Sequence, residues 1–458
     1  MSELNKPDIN EDSKMPKETK IKIAIGATLL LAIVFLIFAA VGRVDHIETP
    51  PVVEETVPED IDFDFDNFHI AKSSWQNGAW CALDKEAVTS INIVKQYEGP
   101  SNMVWTVDGM IFFATDEGAV YVQVGPGVHM LGSMHKAFAD FPNATFITGL
   151  ELLDTEAVTD MSYLFANSAF ESIDISDWNT SHVTNFAYML YDTSATKSIN
   201  MNNMDLSKVV DISYMFANAR ALEHIYFENV DTSHILLMEG LFDQVGSAAS
   251  LDPTIFHGTL NTISCTNMAY MFRWSNMGNM LELVQQFDTR NVENMEEMFY
   301  HSLNQYDLDL SHFDVSKVEN MNKMFAETVF LLSVNMEGWN PENLITANYM
   351  FYDCNNLREF NQWVSAPKIQ YASHMFANCY ELLELDVTCF DGATLKDAED
   401  MFYCVQYVEH IYSNGFTVEK YSPYMFEYCV SLLGPTPYNA DSTSSDMATT
   451  QGYLTPTK

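Results

Sequence analysis

Apolar and polar positions recur along most of this chain with one long period. A Met or Leu followed by Phe returns at Leu164-Phe165, Met215-Phe216, Leu241-Phe242, Met271-Phe272, Met298-Phe299, Met324-Phe325, Met350-Phe351, Met375-Phe376, Met401-Phe402 and Met425-Phe426, with Met189-Leu190 filling the one gap. The eleven copies stand 24 to 27 residues apart, except for 30 between Phe242 and Phe272, where an insertion must loop out. Inside a copy, Val292, Met295, Met298 and Phe299 follow the spacing of one face of a short helix, as do Val318, Met321, Met324 and Phe325. The next residues alternate, as in Leu308-Asp309-Leu310 and Leu385-Asp386-Val387, which predicts a half-buried strand. The pattern predicts a unit made of one short helix and one short strand.

A unit of this size cannot bury its apolar face alone, so the units must stack into a solenoid whose strands form a parallel ladder. The turn from strand to helix also recurs, at Trp178-Asn179-Thr180-Ser181, Val230-Asp231-Thr232-Ser233 and Phe313-Asp314-Val315-Ser316. Its Asp or Asn can bond downstream backbone N–H groups, and its Thr or Ser can cap the helix. Stacking converts equivalent positions into columns. One reads Trp178, Met204, Val230, Phe256, Phe287, Phe313, Trp339, Trp363, Phe390 and Phe416, which we assign to the core rather than to a glycan platform. Cys354, Cys379, Cys404 and Cys429, each 25 residues apart, form another. A column spreads its thiols along the solenoid instead of converging them on a point, so buried free thiols are expected there and no zinc cage.

The repeat unit resembles the BspA-type leucine-rich repeats of bacterial surface proteins, in segments such as Val292 to Phe299 followed by Leu308 to Ser316, and the likeness extends over about Leu153 to Leu433. It implies a surface-displayed leucine-rich-repeat-like α/β solenoid used in adhesion or ligand binding, with no catalytic residues to carry over. The copy at 184–204, the stretch 243–264 with Pro253 and Gly258, and Glu419 to Pro423 depart from the pattern. Residues 435–458, with Gly452-Tyr453-Leu454-Thr455 near the end, resemble the tail that closes such arrays. Ahead of the repeats, residues 68–135 carry β-rich runs at Ile91 to Val94, Met110 to Phe113 and Val120 to Val124, which predicts a small cap over the first repeat's edge. The solenoid itself is assigned to 136–434.

The N-terminal part has a different character. Residues 23–42 are uncharged and overwhelmingly apolar, long enough to cross a bilayer of roughly 30 Å as a helix. Five lysines lie in residues 1–22 and only Arg43 just beyond the segment, so the expected topology is a single-pass anchor with a cytoplasmic N-terminus and an external remainder. Residues 43–67 form an acidic linker with Pro50, Pro51 and Pro58, self-repelling and extended. Asp60, Asp62, Asp64 and Asp66 have the spacing that starts a calcium loop but do not complete one, because the glycine and glutamate such a loop requires are not both in frame.

Charge narrows the function. Against 22 Lys and Arg stand 63 Asp and Glu, a net charge of -41, which repels a phosphate backbone and excludes nucleic-acid partners. No nucleophile elbow, H-E-x-x-H helix or phosphate-cradling glycine loop occurs, so no enzyme, cofactor or metal centre is expected. The candidate surface is the outward column of the strand ladder: Asp174, Asn200, Tyr226, Asp252, Asp309, Asn335, Asn361, Asp386 and Tyr412. Strand side chains alternate, so these positions face solvent, where solenoids commonly meet partners. The expected partner is an extracellular protein or glycan, with the membrane held through residues 23–42. The alternative is a scaffolding component of the cell envelope that binds divalent cations weakly.

Overall fold

The structure, a computed structural model, describes residues 75–456 apart from 108, 126–127, 249–253, 303–305 and 361–362. All of these lie in one compact unit, Asp62–Lys458. Among them no helix is long and apolar enough to cross a membrane, and the anchor expected at 23–42 lies outside the described residues.

The strands form the parallel ladder that the two-residue alternation predicts. Ser172–Asp174, Ser198–Asn200, His224–Phe227 and Ile255–Gly258 pair in chain order, with Ile173 opposite Ile199 and Ile225 opposite Phe256. Asp307–Asp309, Ser333–Asn335 and Glu359–Phe360 continue it, followed by Glu384–Asp386, His410–Tyr412 and Leu454–Thr455. The middle residue of each three-residue repeat strand is buried, because period-2 alternation turns it toward the packed interior.

The predicted helix of the repeat does not form. Along Met295 to Ser302, Glu297 and Phe299 donate their N–H groups to Asn322 and Met324 of the next coil, each at 2.9 Å, while Met298 and Ser302 donate three residues back, to Met295 and Phe299. An α-helix would send every N–H four residues back within its own coil. Glu297 and His301 hold φ of 50° and 47°, and the same pair of left-handed residues, four apart, recurs at Lys323 and Glu327, Tyr349 and Asp353, and His374 and Asn378. Each sits third in a tight turn, where left-handed φ reverses the chain. Consecutive turns of this kind bring every third or fourth side chain inward, as a helix does, so the apolar spacing of the two is the same. Asn294 and Asn320 open their coils by accepting the N–H of Glu296 and Asn322, at 3.0 and 2.9 Å. The same positions are linked coil to coil in a second ladder that runs Leu237, Asn267, Asn294, Asn320, Thr346, Tyr371 and Asp397.

Inside, the repeated phenylalanines stack. Centroids lie 5.6 Å apart from Phe299 to Phe325, 5.1 Å from Phe325 to Phe351 and 5.7 Å from Phe351 to Phe376, with rings within 14° of parallel. The separations exceed the spacing of neighbouring strands, about 4.8 Å, so the rings are offset, the favourable arrangement for aromatic faces. The aromatic column assigned to the core is buried at all ten positions. Its register is corrected at one place: Phe256 lies in the ladder opposite Ile225, and Leu260 fills the column between Val230 and Phe287. The buried threonines define that alignment, since Thr232 Oγ1 donates to the Asn261 carbonyl and Thr262 Oγ1 to that of Asp288, each at 3.0 Å.

The ladder is interrupted one unit after the insertion. The unit after Phe272 carries a helix, Met280–Val284, where its neighbours carry a strand. Asn279 compensates for the lost strand: its side-chain amide donates to the Phe256 carbonyl at 2.8 Å and accepts the Phe256 N–H at 3.1 Å.

Both ends are closed. In the cap, Met103–Val107, Met110–Ala114 and Ala119–Gln123 form an antiparallel meander, and Ala119–Gln123 pairs in parallel with Ser90–Val94. Ser90–Val94 then pairs with Phe146–Thr148, and Glu171, next to the ladder's first strand, donates its N–H to the Thr145 carbonyl at 2.9 Å, so the cap sheet abuts the ladder's first edge. Gly149, at φ 79°, follows directly; a Cβ there would collide with the Ile93 carbonyl. Trp80 is fully buried beneath, stacked on Phe112 and Phe141, with its Nε1 donating to the Ala137 carbonyl at 2.7 Å. At the other end the tail lays Thr443 beside Phe426 and Thr455 beside Ser413, and it buries Tyr453 edge-on to Phe426.

Candidate binding face on the strand ladder

The described outward ladder positions, Asp174, Asn200, Tyr226, Asp309, Asn335, Asp386 and Tyr412, are exposed or half-buried, but most of their polar atoms are already engaged. Asp174, Asp309 and Asp386 each use Oδ1 to accept a backbone N–H and a hydroxyl two residues on, from Ser176, Ser311 and Thr388. The Ser311 hydroxyl is the main reason that Asp309 lies below the usual carboxylate range. Asn200 Nδ2 donates to Asp174 Oδ2 at 3.1 Å, and Asn335 Nδ2 to Asp309 Oδ1 at 3.0 Å. The Asp and Asn side chains therefore shape turns and join coils. Tyr412, opposite Asp386 in the ladder, reaches Glu384 Oε1 at 3.4 Å.

Asn361 and Asp252 lie outside the described residues. The register that puts Asp252 in the outward column is nevertheless corrected. His257 is the residue opposite Tyr226, because the strand begins at Ile255, beyond the stretch that lengthens this repeat. Its ring lies on Tyr226, centroids 4.7 Å apart and planes within 11°. His224, on the same face, brings Nδ1 to 3.2 Å from His257 Nε2. Sequence spacing alone hides this cluster, since the insertion shifts His257 out of the regular period.

A second polar surface has no counterpart in the sequence pattern. On the turn segments, Arg273 binds the buried Asp243 through two bonds, at 3.0 and 2.5 Å, and reaches Glu297 at 3.3 Å; Lys323 holds the other oxygen of Glu297 at 2.9 Å. Burial pushes Asp243 up, opposed by Arg273. Nearby, His301 stacks on Trp274 at 3.6 Å and holds Glu327 low, while Tyr300 donates to Glu327 at 2.6 Å. These residues cluster at and around the left-handed positions of adjacent coils. A helical reading would have distributed them around a cylinder.

The thiol column also needs one correction. Cys354, Cys379 and Cys429 are buried and donate to the carbonyls of Phe325, Phe351 and Phe402 at 3.0, 3.0 and 2.9 Å. Cys404 is half-buried with φ 60°, one residue out of line, and Val405 fills the column instead. All seven cysteines are free. Burial pushes Cys354 and Cys429 up to about 12.

No curated protein matches the chain. Among solved structures, the crystal structure of a TLR13–ssRNA13 complex aligns at 12% identity with a TM-score of 0.22, a likeness too slight to carry any argument. That alignment spans 66% of this chain and 41% of the other. The profile described as "Mycoplasma protein of unknown function, DUF285" matches residues 132–254, 247–366 and 333–434, which together take in the solenoid. The chain belongs to that family.

Proposed function

We propose that the protein is a non-catalytic binding module, a rigid repeat solenoid that meets an extracellular protein or glycan on its strand face. The observation that carries this reading is the division of labour in the ladder. The repeated apolar residues are consumed in the core, and the Asp and Asn side chains are consumed in turns, while Tyr226, His257 and Tyr412 stand on a stiff parallel sheet with ring surface turned outward. Aromatic rings on a rigid support offer contact area at little entropic cost, which suits recognition. The apolar segment at 23–42 and the acidic stretch at 43–67 support display of the solenoid from a membrane on an extended tether. The likeness of the repeats to BspA-type units supports the surface-protein reading.

The test is binding of the full-length protein to an array of extracellular-matrix proteins and glycans at physiological salt. A saturable ligand lost in the double variant Tyr226→Ser with Tyr412→Ser supports the proposal, and one retained by that variant places recognition on another face. An array with no ligand at all favours the scaffold reading, to which the internally satisfied carboxylates Asp174, Asp309 and Asp386 lend weight.

A further inference from the structure

We propose that His224 and His257 form a binding site for a divalent first-row transition metal. The parallel register puts Tyr226 opposite His257, so His224 stands on the neighbouring strand diagonal to His257, on the same outward face. Their facing nitrogens, His224 Nδ1 and His257 Nε2, are 3.2 Å apart. Two imidazole nitrogens bound to one ion at about 2.0–2.1 Å lie roughly 3.4 Å apart in a tetrahedral site and roughly 3.0 Å apart as octahedral neighbours. The observed separation falls between the two. Two such ligand rings also have centroids roughly 5 Å apart, and here the centroids are 5.3 Å apart with planes inclined at 37°.

The surroundings hold this geometry. The Tyr226 ring lies flat on His257, and the Asn279 side chain fixes the backbone of Phe256, the residue before it. Both rings are half-buried, held by neighbours yet open on the solvent side. Without metal, the 3.2 Å separation is that of an N–H···N bond. On binding, whichever ring carries the bridging proton moves it to its far nitrogen, which frees two lone pairs for the ion with no net proton lost. Among the described residues no third His, Cys, Asp or Glu completes the site, so water supplies the remaining ligands. Imidazole selects copper, nickel and zinc over calcium and magnesium, and the strongly negative chain raises the local concentration of any cation.

Copper(II) is the probe, because affinity for nitrogen ligands peaks there along the first row. Full-length protein in detergent receives one equivalent of copper(II) with calcium in excess to occupy carboxylates, and electron paramagnetic resonance counts the coordinated nitrogens. Two imidazole couplings are expected in the unmodified chain. One should remain in His224→Gln and one in His257→Gln, with circular dichroism unchanged, and Tyr226→Phe should keep both. A two-nitrogen signal that survives the double variant His224→Gln/His257→Gln would overturn the assignment, as would a signal from oxygen ligands alone in the unmodified chain.

Discussion

A left-handed backbone at Tyr, Trp, Lys, Glu and His costs of order 1–2 kcal/mol at each residue, yet this fold adopts it twice in nearly every coil. What offsets the cost is visible at most of these positions. The N–H is turned to a carbonyl of the next coil, as Tyr214 donates to Glu239 at 2.7 Å and Tyr349 to Ser373 at 2.8 Å. The side chain lies on its counterpart one coil away, as in Tyr163, Tyr188 and Tyr214, with centroids 4.7 and 5.0 Å apart. Gly240 follows in that column because the Tyr214 ring occupies the space a Cβ would need. Stacking beside carboxylates also alters titration. Burial first, and then Glu296, pushes Tyr270 up to about 12, and burial with Glu239 or Glu327 raises Tyr214 and Tyr300 as well. The folded state therefore holds these protons more tightly than the unfolded chain, whose tyrosines ionise near 10. The stability involved is fully present below about pH 10 and is lost as pH rises toward about 12. Tyrosinate absorbance should appear together with loss of circular dichroism, and Tyr270→Phe should move the transition to higher pH. Complete ionisation at an ordinary midpoint in a still-folded protein would refute this.

At the scale of the element, a coil is defined by its neighbours. The spacing of Val292, Met295, Met298 and Phe299 is shared by a helix and by successive tight turns, and local sequence does not separate them. The choice is made by the partner coil, whose carbonyls accept every second N–H and leave only the alternate ones for bonds within the coil. The same logic explains Arg273. Its insertion-flanked coil places it between Asp243 and Glu297 of the coils on either side, and it neutralises a carboxylate that is 3% exposed. Removing one partner of such a pair strands the other charge. Arg273→Ala should therefore lower unfolding stability by about 3 kcal/mol, measured by urea denaturation. Arg220→Ala, which removes an exposed arginine bonded to Asn218 and Gln244, should cost far less. Equal effects of the two substitutions would show that the buried network adds nothing beyond a surface contact.

For the whole molecule, stability is a chain of nearest-neighbour terms, so the ends matter more than their length suggests. The tail covers Phe426 with Thr443 and Tyr453 and supplies the final strand beside His410–Tyr412. A chain ending at Gly434 should lose hydrogen-exchange protection over residues 384–433, while the cap strands Ser90–Val94 and Phe146–Thr148 keep theirs; unaltered protection at 410–429 would show that the tail is not a cap. Much of this architecture is legible in residues alone. The 25-residue period, the buried Phe and aromatic columns and the three-residue strands follow from where apolar side chains fall, since burial is read from spacing without knowing the backbone path. Hydrogen bonding between coils is not written in that spacing. It decided that the turns are left-handed rather than helical, that Cys404 leaves the thiol column, and that His257 instead of Asp252 faces Tyr226. The sequence thus determined which residues lie inside and how often they repeat. Only the tertiary structure decided which side chains meet across coils, because one inserted residue shifts every partner beyond it and only the paired backbone shows where the register resumes.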